Sequence, residues 1–364
     1  MATTPESGIS NRARGVRGLS LLLSSIQVYG IAIFLSFGVI AAISAILGYP
    51  VFEVLETLVF SSFRSFAGLK STIKVSIPLL FTTYAFSIPF KIKFFNIGAW
   101  GQMLLGGAMT AVVGLLLADW NLPSVVMIPL LVLTAILAGG VFALIAAYLK
   151  ADYDINPIVS TIMLNYVALQ CVAFFCTARG FTDPKGGHPQ TMLLPSSAAL
   201  GFISGIPYSL LLAVLAVLLV SVLINRTRLG YEINAIGYNP VAAQSYGIDF
   251  RKTIMLTFFF GGALAGLGGG LEVLNIHNRL LVGFADISGV NFGPLGVLAA
   301  LVVAGNPMAV PVASFFMSVL LVGADRLQRT MQVPVELVFL LQAVIVLSVL
   351  IVQRWLGERT NRKG

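Results

Sequence analysis

The chain has 364 residues, of which 58% are hydrophobic and only 10% are charged. Because ordinary domains carry roughly a quarter charged residues, this composition excludes a soluble globular protein. The formal net charge of +8 is scattered over loops and tails, which argues against a nucleic-acid partner and makes the basic residues indicators of membrane topology.

The apolar runs are long enough to cross a bilayer many times, and they predict an all-α polytopic membrane protein. Three arginines precede the first run, so residues 1–18 are expected to be a cytoplasmic tail. That run continues to about residue 47, which is too long for a signal peptide and predicts a retained first span. Further spans are expected at about residues 74–90, 95–118, 124–149, 155–176, 207–225, 253–276, 288–304, 308–324 and 334–353.

The connections between these about ten spans predict the orientation of the chain. Residues 51–66 are expected to form an amphipathic segment on the outer face, and residues 177–206 a long polar outer loop. An even number of spans puts both termini on one side. The excess of Lys and Arg on that side, including the basic tail at residues 354–364, predicts that it is the cytoplasm. Residues 1–364 then form a single transmembrane domain.

The most polar long connection, residues 226–252, contains the signals of a short helix. Asn239 suits a helix cap, Pro240 suits the first helical position, and Gly247 suits a left-handed stop. Basic residues at both ends of the segment, Arg228 among them, predict a cytoplasmic location. The helix is therefore either a docking surface for a partner or part of a tether between two spans.

Polar residues inside the predicted spans are candidates for function, because such residues are costly in a membrane. Thr161 and Asn165 lie four residues apart on one face of the fifth span, and Glu272 lies near the outer end of the seventh. Asn165 either lines a pathway or joins helices, and Thr161 can instead bond back to its own helix. The seventh span also has a glycine at every fourth position, which predicts close packing of another helix at Gly262, Gly266 and Gly270.

One short pattern occurs twice, about half a chain apart. Residues 96–101 and 291–296, the first and second turns, both read N-x-G-x-x-G. Chance is one explanation in a glycine-rich chain. The other is an inverted repeat with broken helices at corresponding places, which is typical of transporters. Asn96 and Asn291 would then border the substrate path, and Trp100 would add an aromatic face to it.

The sequence lacks the motifs that identify nucleotide-binding and common catalytic sites. There is no phosphate-binding loop, no zinc-protease motif and no nucleophile elbow, so no catalytic or metal-binding residue is predicted. Any ATP hydrolysis would require another chain. Cys171 and Cys176 lie on different faces of one predicted helix and are expected to be free core thiols.

Three motifs in order resemble a known family. RLGYEINAIGYNPVAAQSYGI, at residues 228–248, resembles the cytoplasmic coupling segment of ABC importer permeases of the branched-chain amino acid, ribose and nucleoside type. FNIGAWGQ at residues 95–102 and INPIVSTIMLNYVA at residues 155–168 resemble motifs of the nucleoside branch. The resemblance covers most of the chain from about residue 74 to the tenth span.

The resemblance implies roles for individual residues. Asn96, Gly98 and Gln102 match a motif beside the translocation path. The part that meets the ATPase is represented here by Arg228, Gly230, Gly237, Asn239, Pro240, Ala243 and Gly247. The chain departs from the family pattern at Trp100, where an acid is usual, and at residues 292–296, where a G-[FY]-x-G-I run is usual.

The implied protein is the permease subunit of an ATP-driven importer in the cell (inner) membrane, for nucleosides or a related small polar solute. Its implied partners are a second, distinct permease subunit, a cytoplasmic ATPase that binds ATP and Mg, and a substrate-binding lipoprotein or periplasmic protein; this chain would need no cofactor of its own. The alternative within this class is a sugar or branched-chain amino acid permease. An ion-coupled secondary transporter would be expected to bury more ionisable groups than Glu272.

Overall fold

The structure is a computed structural model that describes residues 31, 34–287, 290–334, 340, 343–344 and 346–352. Two antiparallel hairpins pair β1 (Phe202–Ile203) with β2 (Ile206–Pro207) and β3 (Asp286–Ile287) with β4 (Val290–Asn291). The helices in chain order are α1 (Phe34–Ile46), α2 (Val51–Phe60), α3 (Phe66–Phe90), α4 (Ala99–Leu116), α5 (Ser124–Tyr153), α6 (Pro157–Thr177), α7 (Ser209–Arg226), α8 (Arg228–Tyr238), α9 (Pro240–Ser245), α10 (Phe250–Glu272), α11 (Phe292–Val302), α12 (Val310–Met331) and α13 (residues 346–352).

Among the described residues, seven helices are long and apolar enough to cross a membrane: α3 to α7, α10 with its π-helical extension to His277, and α12. The prediction of a polytopic α-helical membrane protein is thereby confirmed. The predicted first and tenth spans lie only in part within the described residues. The predicted eighth span contains only the 11 residues of α11, and a helix of that length covers about 17 Å of the ~30 Å hydrocarbon core. The count of ten spans stays a prediction.

The chain divides into two compact units, one of Phe60–Asp325 and a smaller one of Met1–Val59 with Arg326–Gly364. In the described part of the smaller unit, α1 ends in a turn at Gly48, whose φ of 78° is left-handed. A helix is expected to stop there, because glycine adopts this conformation without steric cost.

The larger unit is built around α10, which packs against α3, α4 and α5. Its glycines make this packing close. A Cβ on Gly266 would lie 2.3 Å from the carbonyl oxygen of Ala135 in α5, and Gly262 and Gly270 also face α5, at Gly139 and Ala135. The predicted glycine contact between helices is therefore confirmed, and it makes α10 the central helix of this unit.

The third helix begins earlier than the sequence pattern indicated. It starts at Phe66 rather than near residue 74, because the side chain of Ser65 accepts a hydrogen bond from the Gly68 N–H (3.1 Å) and caps the first turn. Two prolines, Pro78 and Pro89, lie within this helix. Pro89 leaves one carbonyl of this helix without its helical hydrogen bond.

Candidate translocation and coupling sites

The first turn is closed by the two amide side chains of Asn96 and Gln102. Asn96 Nδ2 donates to Gln102 Oε1 (3.0 Å), and Gln102 Nε2 donates back to Asn96 Oδ1 (3.0 Å). Asn96 Oδ1 also accepts from the Gly98 N–H (3.2 Å), at the residue before α4 begins. Asn96 is 0% exposed, so this cap is a fully buried and reciprocally bonded polar group.

Asn96 also bonds a backbone carbonyl that α3 leaves without its helical partner. Proline has no N–H, so Pro89 cannot donate to the carbonyl four residues earlier, that of Ala85. Asn96 Nδ2 supplies the missing bond to Ala85 O at 3.0 Å. The end of α3 and the start of α4 are therefore joined by one side chain.

Helix α6 holds the first turn from the other side. Asn165 Nδ2 donates to the Ile97 carbonyl (3.1 Å), and Asn165 Oδ1 accepts from the Gly101 N–H (2.8 Å). Thr161 is buried beside Gly98, but its hydroxyl donates to Pro157 O in its own helix (2.6 Å). The structure thus brings the two α6 residues singled out by sequence to the first turn, where Asn165 binds backbone and Thr161 packs.

The two N-x-G-x-x-G turns meet in the structure. A Cβ on Gly293, in the second turn, would lie 2.3 Å from Trp100 Cβ and 3.0 Å from the Trp100 nitrogen, in the first turn. Helix α3 contacts the second turn as well, since Thr82 Oγ1 donates to Phe292 O (3.1 Å). Two helices, α4 and α11, therefore begin side by side against α3.

A small polar group lies where the turns meet. With its amide nitrogen facing Asp286, Asn291 donates to both carboxylate oxygens (2.6 and 3.2 Å). Trp100 Nε1 is buried near the same carboxylate, without hydrogen-bond geometry to any described residue. Burial raises the pKa of Asp286 above its ordinary value, and the Trp100 N–H opposes that rise. Sequence inspection missed Asp286, and its position just before the second turn was the available signal.

Glu272 lies in a different environment, at the end of α10. It is 8% exposed, and its Oε2 is 3.8 Å from His277 Nε2, which also lies 3.2 Å from the Phe284 carbonyl. Nearby Asn275 contacts the start of α7, accepting from the Ser209 N–H at 3.2 Å. The Glu272 carboxylate thus faces the end of its own helix, at His277.

Residues 226–252, called the coupling segment from here on, contain two helices instead of one. Asn239 caps α9 by accepting from the N–H groups of Val241 and Ala242 (both 3.1 Å), and Gly247 has a φ of 81°, so the predicted start and stop are confirmed. Helix α8 was missed. Thr227 caps it through the Gly230 N–H (3.1 Å). Its signal was the helical spacing of Leu229, Ile233 and Ile236, hidden in a polar stretch.

The two helices present different faces to the bundle and to solvent. Ile233, Ile236 and Ala243 are buried. Aromatic residues point outward, and Tyr238 and Tyr246 are 88% and 89% exposed. Such exposed aromatics around a helix pair form a surface suited to protein contact.

The inner face of α8 is anchored by backbone contacts. A Cβ on Gly237 would lie 2.1 Å from Lys91 O at the end of α3, and one on Gly230 would lie 2.3 Å from Ile224 O in α7. Glu232 Oε1 pairs with Arg228 Nε at 2.8 Å. The two glycine contacts place the coupling segment against the ends of α3 and α7.

Charged side chains continue this surface to α5 and α10. Arg251 binds Asp152 through two hydrogen bonds, Nε to Oδ1 (2.6 Å) and an Nη to Oδ2 (2.8 Å). This bidentate pair joins the start of α10 to the end of α5. Within the described ranges, no group of three or more His, Cys, Asp or Glu side chains is placed to hold a metal ion.

Comparison with known proteins identifies relatives over most of the chain. The family described as branched-chain amino acid transport system, permease component, matches residues 68–350. A glucose ABC transporter permease protein of Haloferax volcanii is 31% identical over 292 residues, which is 77% of this chain and 75% of that protein. No solved structure matches the chain.

Two further relatives have names that refer to nucleosides. A guanosine ABC transporter permease protein of Bacillus subtilis is 30% identical over 90% of this chain and 93% of its own length. A nucleoside ABC transporter permease protein of Lactococcus lactis is 28% identical over 87% of this chain and 88% of its own length.

Proposed function

Since this chain belongs to the family of permease components of branched-chain amino acid transport systems, and is a multi-pass ABC transporter permease of the cell membrane, we propose that it imports nucleosides. The observation that carries the choice of solute is the extent of similarity. The guanosine and nucleoside permeases align with 90% and 87% of the chain, against 77% for the glucose permease. A sugar is the second candidate, because the glucose permease has the higher identity, 31%.

The outer face of α8 and α9 is the proposed docking surface for a separate ATPase. It is exposed, aromatic and next to the basic Arg228, while its inner face contacts the ends of transmembrane helices. A surface with these two faces is suited to pass movement from a partner to the bundle. ATP and Mg would bind to that partner. A second, distinct permease subunit and a substrate-binding lipoprotein or periplasmic protein would complete the transporter.

The contacts of the coupling segment also support the proposed orientation. They bring Lys91, Asp152, Arg226 and Arg251, at the ends of four different helices, to one end of the larger unit. The positive-inside rule assigns that basic end to the cytoplasm. We extend this to ten spans with both termini cytoplasmic, in which α4 and α11 are the broken helices of an inverted repeat.

The proposed path runs past the two turns. Asn96, Gln102, Thr161 and Asn165 shape its wall by holding the first turn in place. Trp100 and Asn291, at the meeting point of α4 and α11, are the proposed solute contacts. An indole face suits a base, and amide groups suit the ribose hydroxyls. Glu272 would lie farther along the path, at the end of α10.

The test is solute uptake by the complete transporter in proteoliposomes, with the ATPase, the second permease and the binding protein present. We expect ATP-dependent uptake of labelled guanosine. Excess unlabelled adenosine should compete with this uptake, and excess glucose should not. Competition by glucose alone would favour the sugar permease. Uptake by this chain without ATPase or ATP would contradict the ABC mechanism and indicate a secondary transporter.

A further inference from the structure

We propose that Gly237, on the inner face of α8, is the contact through which movement of the coupling segment reaches the interrupted start of α4, and that the route runs through the last turn of α3. The inference rests on the proposed docking of an ATPase on the outer face of α8 and α9. It adds the positioning residues on the membrane side: Gly237, Lys91, Pro89 and Asn96.

The first step is a contact between backbones. A Cβ on Gly237 would lie 2.1 Å from Lys91 O, so α8 packs directly against the residue that caps α3. Ile233 and Ile236, which precede Gly237 in α8, are 0% and 1% exposed and hold this helix against the bundle. Close-packed atoms with no side chain between them transmit a displacement instead of absorbing it.

The second step is the break at Pro89. Pro89 lies in the last turn of α3 and Lys91 caps that helix, and the Phe94 N–H bonds to Pro89 O (3.2 Å) as the chain turns toward α4. Because Pro89 leaves Ala85 O free, Asn96 bonds to it and thereby ties the start of α4 to α3. A shift of the α3 end at Lys91 therefore reaches the cap of α4 within two turns of helix.

The third step is that α3 also touches the second turn. Thr82 donates to Phe292 O at 3.1 Å, and a Cβ on Gly296 would lie 2.6 Å from Thr82 Oγ1. One helix therefore contacts the starts of both α4 and α11. Moving its cytoplasmic end would change the spacing of the two turns that meet at Trp100 and Gly293.

A purely structural role for Gly237 is the competing explanation, since any close helix contact favours glycine. The two explanations differ in what a substitution does to the coupling between ATP hydrolysis and transport. A structural contact affects folding and the amount of assembled complex. A transmission contact affects the number of solute molecules moved per ATP hydrolysed, in a complex that still assembles.

The experiment compares Gly237→Ala with Gly230→Ala in the reconstituted transporter, with ATP hydrolysis and labelled guanosine uptake measured on the same sample. Both substitutions add a methyl group against a carbonyl, but Gly237 faces α3 and Gly230 faces α7. Coupling between sites is commonly worth about 5–150-fold. We expect Gly237→Ala to lower the uptake per ATP hydrolysed about tenfold, measured on the complex that assembles. Gly230→Ala should lower that ratio much less.

A second variant, Pro89→Ala, tests the middle of the route without adding bulk. The new N–H at position 89 can bond Ala85 O, which releases Asn96 from α3. We expect uptake per ATP to fall, and the double variant with Gly237→Ala to be no worse than the stronger single variant, because residues on one route are not additive. Additive losses, or equal losses from Gly230→Ala and Gly237→Ala, would overturn the inference.

The outcomes separate this inference from the function on which it rests. If the wild-type complex transports glucose instead of guanosine, the uptake per ATP hydrolysed is measured with glucose. Only the proposed solute is then wrong. If the ATPase does not bind the chain at all, the proposed docking fails. If the ATPase binds and Gly237→Ala transports with normal coupling, the route through α3 is wrong.

Discussion

The two N-x-G-x-x-G turns have the same pattern but satisfy their polar groups differently. In the first turn, Asn96 is fully buried and uses its amide to bond Gly98, Gln102 and α3. In the second turn, Asn291 is half-buried, makes no cap bond to α11, and directs its amide to Asp286. The first turn is a closed cap, whereas the second presents a polar pair at the junction.

This difference shows that a short motif specifies irregular backbone but not the use of its side chains. Glycine in both turns allows the close approach at Trp100 and Gly293. What each asparagine bonds depends on neighbours from other helices, a free Ala85 carbonyl in one case and Asp286 in the other. A role in shaping the wall therefore fits Asn96, and solute contact fits Asn291.

The largest effect is expected from Asn96→Ala. The substitution leaves the Ala85 carbonyl, the Gly98 N–H and the Gln102 amide without their partner in a buried place. Each such group costs about 1–3 kcal/mol, so the free energy of unfolding should fall by about 3 kcal/mol or more. The measurement is thermal unfolding of the purified protein in detergent. A midpoint equal to that of wild type would show that the closed cap does not stabilise the fold.

An intermediate effect is expected from Asn165→Ala. Two hydrogen bonds from α6 to the first turn, at Ile97 and Gly101, would be lost, but Asn165 is half-buried and water can replace them in part. We expect a loss of about 1–2 kcal/mol. Gln170→Ala, an exposed position on the same helix, is the matched control and should leave the unfolding midpoint unchanged.

The smallest effect on stability, with the clearest effect on transport, is expected from Asn291→Ala. Asn291 and Asp286 are both partly exposed, so removal of their bond should cost about 1 kcal/mol or less. Uptake of guanosine per folded molecule should nevertheless fall, or the preference between guanosine and adenosine should change. If Asn291→Ala instead unfolds the protein as Asn96→Ala does, with transport per folded molecule unchanged, the second turn is a packing element too.

Much of the architecture was predictable because it depends on neighbours in the chain. Hydropathy located the long spans, and the sequence Asn239-Pro240 with Gly247 predicted α9. Errors arose where a local signal was masked. Lys70 and Lys74 made the first turns of α3 look like a loop, although Ser65 caps a helix there. The polar composition of α8 hid its apolar stripe.

The sequence by itself determined the helices, their caps and the breaks at glycine and proline, since these follow from dihedral preferences and hydrogen bonds within about four residues. Only the tertiary structure decided that the two turns meet, that Asn165 reaches Gly101 across 64 positions, and that Gly237 rests on the end of α3. These contacts depend on how helices distant in sequence pack together. That packing also selects Asp286, which no motif marks, as the partner of Asn291.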